Sequence, residues 1–307
     1  NRYLSTGHPG SYTYGLSLHE GMDIHSHEQA SPLSLNPYQG PHGGNYSFRA
    51  KLSKSDEAIM MNFHQYDGPY RQYVQMVDYN LNIMGNDLGM EVDSNGEDQK
   101  YSALCSLDNN FFLAYSSLTD MGSYAIFLQK YDDQGQEEWA SPINIVEAST
   151  EDHLVKAIIP NPNFINGVIV VYESASFMGV GLNVIFVRPD GEVDSQSSVC
   201  NNCNDPQYES HAIGDEELII TYKTSSSSLA AGVFSQIYSL DSGTAQYENG
   251  IVVSDEVNDQ RSSTITYNSS LDEYLACWND GRDTFSNDEG DEIVDLNILC
   301  ARLFFED

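Results

Sequence analysis

The sequence predicts an all-β fold, a five-bladed β-propeller with four-stranded antiparallel blades, and three observations carry that prediction. A pattern of four short apolar runs separated by polar turns recurs about every 53 residues from Asn45 onward, within the period range of propeller repeats. In each copy the second run is the most apolar and ends on an aromatic residue. The fifth copy stops before its fourth run, which leaves a strand position for the amino terminus to fill.

The best preserved copy covers residues 98–146. Its apolar runs are 101–107, 111–115, 124–131 and 143–146, and Asp133-Gln134-Gly135 is its plainest turn. Four short strands joined by hairpins make one meander, the blade of a propeller. First strands begin near Tyr46, Gln99, His153, Gln207 and Gln260, four of them just after an acidic or Asn-containing turn. Second strands end on Phe63, Tyr115, Tyr172, Tyr222 and Trp278. These aromatics are expected in the core rather than against a ligand. Third strands carry Gln75, Gln129 and Gln236, replaced by Val187 and Ala301 in the other copies. The turns that follow, such as Asp190-Gly191, supply the positive φ that tight hairpins require. Fourth strands are read at 88–92, 143–146, faintly near Val199, and at 250–253.

The blades are therefore placed at 45–96, 97–150, 151–204, 205–257 and 258–307, the last completed by an amino-terminal strand at 31–36. Residues 1–44 form an amino-terminal extension that includes this closing strand. Closure in this way removes the open sheet edge. Six blades, with residues 1–44 supplying a degenerate one, and a two-sheet sandwich array are the alternatives.

Charge narrows the partners. Thirteen Lys and Arg stand against 46 Asp and Glu, a formal net charge of -33. Such a surface repels phosphate backbones and anionic headgroups, so nucleic acid is excluded as a partner. No apolar run approaches the ~20 residues that cross a bilayer, so no transmembrane segment is expected. The start at Asn1 suggests a processed end, although a chosen boundary would look the same. Of five cysteines, Cys200 and Cys203 sit in one short loop. Cys277 and Cys300 fall on neighbouring strands of the last blade. Both pairs are disulfide candidates, and Cys105 is left as a small buried hydrophobe.

The repeat resembles those of secreted bacterial propeller proteins of the Bacteroidota type. The match is carried by Asp98-Gln99, Ala114-Tyr115, Gln129-Lys130, Asp132, Gly135 and Trp139. It is carried again by Asp259-Gln260, Ala276, Trp278, Asp280, Arg282, Ala301 and Arg302. The resemblance covers residues 45–307 and implies export to an extracellular or cell-surface setting. It brings no common catalytic residues. The first and third copies lack the Trp and Arg of the pattern.

Two stretches suggest metal. His25 and His27 alternate, so on a strand they point the same way and supply two imidazoles. The acidic run containing Asp288, Glu289, Asp291 and Glu292 surrounds a glycine with oxygen ligands, which suits calcium. It is expected in a long loop between strands two and three of the last blade. For catalysis, a glycoside hydrolase needs two carboxylates facing each other across a sugar. Asp67, Asp120, Glu173 and Asp280 stand near the ends of second strands, but so acidic a chain always offers such candidates. No nucleophile elbow, phosphate loop or zinc-protease motif is present.

The first expectation is accordingly a non-enzymatic recognition or assembly module with no catalytic residues. It would bind protein or glycan at the cell surface, as a homo-oligomer or as part of a larger assembly. The 20 tyrosines offer rigid contact area for such binding. The alternative is a five-bladed-propeller glycoside hydrolase or lyase.

Overall fold

The computed structural model describes residues 2–7, 15–20, 33–34 and 48–303, apart from 56–57, 67–68, 81, 86–88, 94–97, 162–166, 178, 202, 225–231, 255–259 and 287–291. Among them no helix is long and apolar enough to cross a membrane. The chain divides into two compact units, Asn1–Ser149 with His153–Pro160, and Thr150–Asp152 with Asn161–Asp307.

Strands β1 (Arg2–Gly7), β2 (Gly15–Glu20) and β3 (Leu33–Ser34) make a three-stranded sheet. Five meander sheets follow. The first holds β4 (Phe48–Lys54), β5 (Ala58–Tyr66) and β6 (Tyr70–Asp78), with the short β7 (Ile83–Met84) and β8 (Met90–Glu91) both paired to β6. The second runs β9 (Gln99–Leu107), β10 (Asn110–Leu118), β11 (Tyr124–Tyr131) and β12 (Ile143–Val146). The third is β13 (Asp152–Asn161), β14 (Gly167–Ser176), β15 (Gly179–Val187) and β16 (Val193–Ser198). The fourth is β17 (Gln207–Ile213), β18 (Glu217–Lys223), β19 (Val233–Ser239) and β20 (Ile251–Ser254). The fifth has three strands among the described residues, β21 (Gln260–Asn268), β22 (Glu273–Ser286) and β23 (Glu292–Leu303). The chain is thus all-β, built from antiparallel meanders of the kind that form propeller blades.

One expectation about the ends changes. Leu33 and Ser34 pair with Leu16 and Gly15 of β2, not with the fifth sheet. The partner they find lies in the same short stretch of chain, and closing a short loop costs less entropy than closing one that spans the whole repeat array. The acidic run expected as a loop falls largely on residues 287–291, which lie outside the described residues. Beyond a register shift between Asp280 and Asp283, β22 and β23 resume pairing from Asp283↔Asp295 to Ser286↔Glu292.

The aromatic residue that ends the apolar run of each second strand is buried: Phe63, Tyr115, Tyr172, Tyr222 and Trp278 are all at most 6% exposed. A bulge accompanies it. In the first, second and fifth sheets two residues of the first strand oppose that one aromatic, as Tyr101 and Ser102 do opposite Tyr115. In the fourth, Glu209 is the extra residue beside Tyr222. Tyr101 and Ser262 adopt φ of 49° and 52° at these bulges, a left-handed conformation uncommon for residues with a side chain.

The repeated glutamine is a structural clamp. Gln236 is fully buried; its Nε2 donates to the carbonyl oxygens of Val199, at 3.0 Å, and Tyr247. Its Oε1 accepts the backbone N–H of Ile237 at 3.0 Å. Gln129 does the same work with the Trp139 carbonyl at 3.1 Å. Each side chain satisfies the backbone of the segment between strands three and four, which has no ladder of its own.

Apolar packing joins adjacent sheets inside each unit. In the first unit Ala58, Met60, Val74 and Met76 meet Phe111, Leu113, Tyr115 and Tyr131. In the second, Ala212, Ile219 and Ile237 meet Ile265, Tyr274 and Ala276. Cys277 and Cys300 face each other across β22 and β23 and form a disulfide; Cys200 and Cys203 form the second, and Cys105 is a buried free thiol.

Candidate functional site

Antiparallel pairing brings three things to the same end of each meander: the start of strand one, the end of strand two and the start of strand three. Just past the strand-two aromatic the sequence turns polar, with His64, Ser116, Glu173, Lys223 and Asn279. One residue further stand Ser117, Ser174, Thr224 and Asp280. Many of these groups are enclosed: His64 is 7% exposed, Ser117 5%, Thr224 8% and Asp280 1%.

Hydroxyls and amides here link neighbouring sheets within each unit. Asn62 Nδ2 donates to Ser102 Oγ at 2.7 Å, and the Val155 N–H donates to Ser116 Oγ at 3.0 Å. In the second unit Thr221 Oγ1 lies 2.7 Å from Ser210 Oγ and accepts from Ser263 Oγ at 3.2 Å. Such bonds offset the cost of enclosing polar groups at this end of the sheets.

A charged cluster in the first unit centres on Asp98. Its Oδ1 accepts the Tyr70 N–H at 2.8 Å, while Oδ2 accepts the Tyr124 hydroxyl at 2.8 Å and pairs with Lys100 Nζ at 2.5 Å. Lys100 Nζ also lies 4.8 Å from the centre of the Tyr70 ring, a cation–π distance. Burial works against the Asp98 charge, but hydrogen bonds from Lys100, the Tyr70 amide and Tyr124 outweigh it and hold the carboxyl below its usual value. The neighbouring Gln99 accepts the Gln72 N–H at 2.8 Å and donates to the Asp93 carbonyl at 3.1 Å. The Asp-Gln pair noted in the sequence is therefore a fastening between successive sheets. The backbone groups it holds, at Tyr70, Gln72 and Asp93, lie in the preceding copy, which the motif alone does not reveal.

The second unit holds its own polar groups. Lys223 Nζ lies 3.5 Å from Glu209. Tyr208 Oη and His211 Nδ1 are 2.6 Å apart with stacked rings. Burial lowers the pKa of His211 from its ordinary value.

The carboxylates named from sequence fall in different places. Asp120 is exposed in the hairpin between β10 and β11, and Asp67 lies outside the described residues. Glu173 is half-buried in β14, and Asp280 is buried in β22. Both belong to the second unit and to equivalent ends of their sheets. Of the metal candidates, His25, His27, Asp288, Glu289 and Asp291 lie outside the described residues, and Glu292 opens β23. Among the described residues no three His, Cys, Asp or Glu side chains gather as a metal site.

The sequence matches no protein-family model and no curated protein. Solved structures similar to it include a thermostable family-43 glycoside hydrolase, at 11% identity and TM-score 0.45, covering 86% of this chain and 92% of that one. A Hadza microbial sialidase is 12% identical, with TM-score 0.49 and 84% and 58% coverage. An endo-arabinase from Bacteroides thetaiotaomicron is 8% identical, with TM-score 0.42 and 81% and 90% coverage. At these values the likeness extends no further than the fold. These neighbours are named as glycosidases, and none of them supports the first expectation, a non-enzymatic recognition or assembly module.

Proposed function

We propose that this chain is a glycoside hydrolase whose five meander sheets are the blades of one propeller, with Glu173 and Asp280 as its working carboxyls. The observation that carries the reading is the burial of Asp280. It is 1% exposed at the strand-two position where the second and fourth sheets bury the neutral hydroxyls of Ser117 and Thr224. Enclosing a carboxyl costs far more than enclosing a hydroxyl, so its presence against the repeat pattern asks for a function.

Glycosidic bond cleavage needs one carboxylic acid to protonate the leaving oxygen and one carboxylate to attack the sugar or activate water. Asp280, the more enclosed of the two, is assigned the acid. The half-buried Glu173 is assigned the base or nucleophile. The polar residues beside them in the second unit, Asn279 and Lys223, offer hydrogen bonds to sugar hydroxyls. Two disulfides in one chain fit an oxidising, extracellular setting, where polysaccharide substrates are met.

The test is release of reducing ends from a panel of arabinans, xylans and sialylated glycans, and of p-nitrophenol from aryl glycosides, by the purified full chain. Turnover of at least one substrate is expected. Absence of turnover across the panel by a folded, disulfide-intact sample contradicts the proposal.

A further inference from the structure

Two copies of the repeat treat the same buried hydroxyls differently. In the fourth sheet Tyr222 Oη donates to the Asn249 carbonyl at 2.8 Å, and Tyr238 Oη donates to that of Ser198 at 3.3 Å. The strand-three glutamine beside them is satisfied as well, since Gln236 Oε1 accepts the Ile237 N–H. Register identifies the counterparts in the second sheet. Tyr115 opposes Phe127 as Tyr222 opposes Phe234, and Gln129 and Tyr131 follow Phe127 at the spacing of Gln236 and Tyr238 after Phe234. Tyr115, Gln129 and Tyr131 are each 0% exposed. Tyr115 Oη, Tyr131 Oη and Gln129 Oε1 have no hydrogen-bond partner among the described residues.

The difference has a local cause. Gly250, at φ 70°, runs so close to Tyr222 that a Cβ there would lie 2.5 Å from its Oη. Pro142 holds the matching place before β12. Its ring fixes φ at about −65°, so the backbone cannot take the same path toward Tyr115. The acceptor of Tyr238 lies on the six-residue β16, whose counterpart in the first sheet is the two-residue β8.

The three groups share a face. Alternation puts Leu113 and Tyr115 of β10 on the same side as Phe127, Gln129 and Tyr131 of β11, with Gln129 opposite Leu113 and so between the two tyrosines. That face packs on Met60, Val74 and Met76 of the first sheet. Burial pushes the pKa of both phenols up, and at Tyr115 the charges of Asp93 and Tyr131 add to the effect. Two donors and an acceptor thus stand together inside an apolar cluster.

We propose that this face holds one ordered internal water, which accepts the Tyr115 and Tyr131 hydroxyls and donates to Gln129 Oε1. Three such bonds are about what a buried water takes. A larger polar guest would enclose groups that the surrounding methionines, Val74 and Phe127 cannot satisfy. The water gives the joint of the first and second sheets a bridged bond where the fourth sheet uses direct ones.

High-resolution crystallography of the full chain, with urea unfolding of a Tyr115→Phe/Tyr131→Phe variant, tests this. Density for a single atom is expected at about 2.7–3.2 Å from both hydroxyls and from Gln129 Oε1. The variant should lose that density and show an unfolding constant about tenfold higher, because Phe keeps the packing and removes two bonds. If the hydroxyls are dry, removing them instead relieves a desolvation cost, and the variant is as stable as wild type or more so. That result overturns the proposal, as does the lack of density at the site or a protein group bonded to the hydroxyls in its place.

Discussion

Asp98 accepts the backbone N–H of Tyr70 at 2.8 Å, fastening the start of β9 to the start of a third strand 28 residues earlier. The same fastening recurs in the second unit, where Asp205 accepts the Val180 N–H at 3.0 Å across 25 residues. A carboxylate at the entrance of one meander thus holds the edge of the one before it. Its recurrence explains why acidic residues precede the first strands.

Replacing Asp98 with Ala leaves the Tyr70 amide, the Tyr124 hydroxyl and Lys100 without their shared acceptor. Because Lys100 and Tyr124 are only partly enclosed and recover water, the expected loss is about 1–2 kcal/mol in urea unfolding. The Asp98 carboxyl sits below its usual value in the folded chain. Its contribution is therefore complete above the unfolded value of about 4 and is lost as pH falls through the folded one. The stability difference between wild type and Asp98→Ala should shrink in that acidic window.

Gln236→Leu keeps the volume and removes the clamp. The Val199 and Tyr247 carbonyls lose their donor and the Ile237 amide its acceptor. Enclosed backbone groups left in this way make the variant less stable by about 2–4 kcal/mol, measured by denaturant midpoint at constant m-value.

His211 predicts a second pH effect of the same sign at higher pH. Burial lowers its pKa from the ordinary 6.5, so the folded chain resists a proton that the unfolded chain accepts. Stability from this group is complete above about 6.5 and declines as pH falls from there toward the folded value. Melting curves of His211→Gln should be flatter over that window than those of wild type, since Gln retains a hydrogen-bonding partner for Tyr208.

Much of the architecture is legible in the chain because short-range features dictate it. The strand-two aromatics, the Asp-Gly turns and the Gln of strand three each act within one repeat, and their spacing carries the meander directly. What acts between repeats is harder to read. The bulge opposite Tyr115 requires knowing that Tyr101 takes φ of 49°, and the Asp98 fastening requires the position of Tyr70 in another sheet. The pairing of Leu33 with Leu16 went to a nearby partner that the repeat register did not consider. Among the carboxylates the sequence offered 46 alike; only burial separates Asp280 from Asp120. The non-enzymatic reading arose from that same abundance.

The most direct measurement is the rate of glycoside cleavage by Asp280→Asn, on the substrate the wild type turns over, with unfolding curves recorded alongside. Loss of a general acid lowers kcat by about 100- to 10,000-fold while the near-isosteric amide keeps the fold. Glu173→Gln should lower it comparably. Retention of full activity by a folded Asp280→Asn variant would contradict the account.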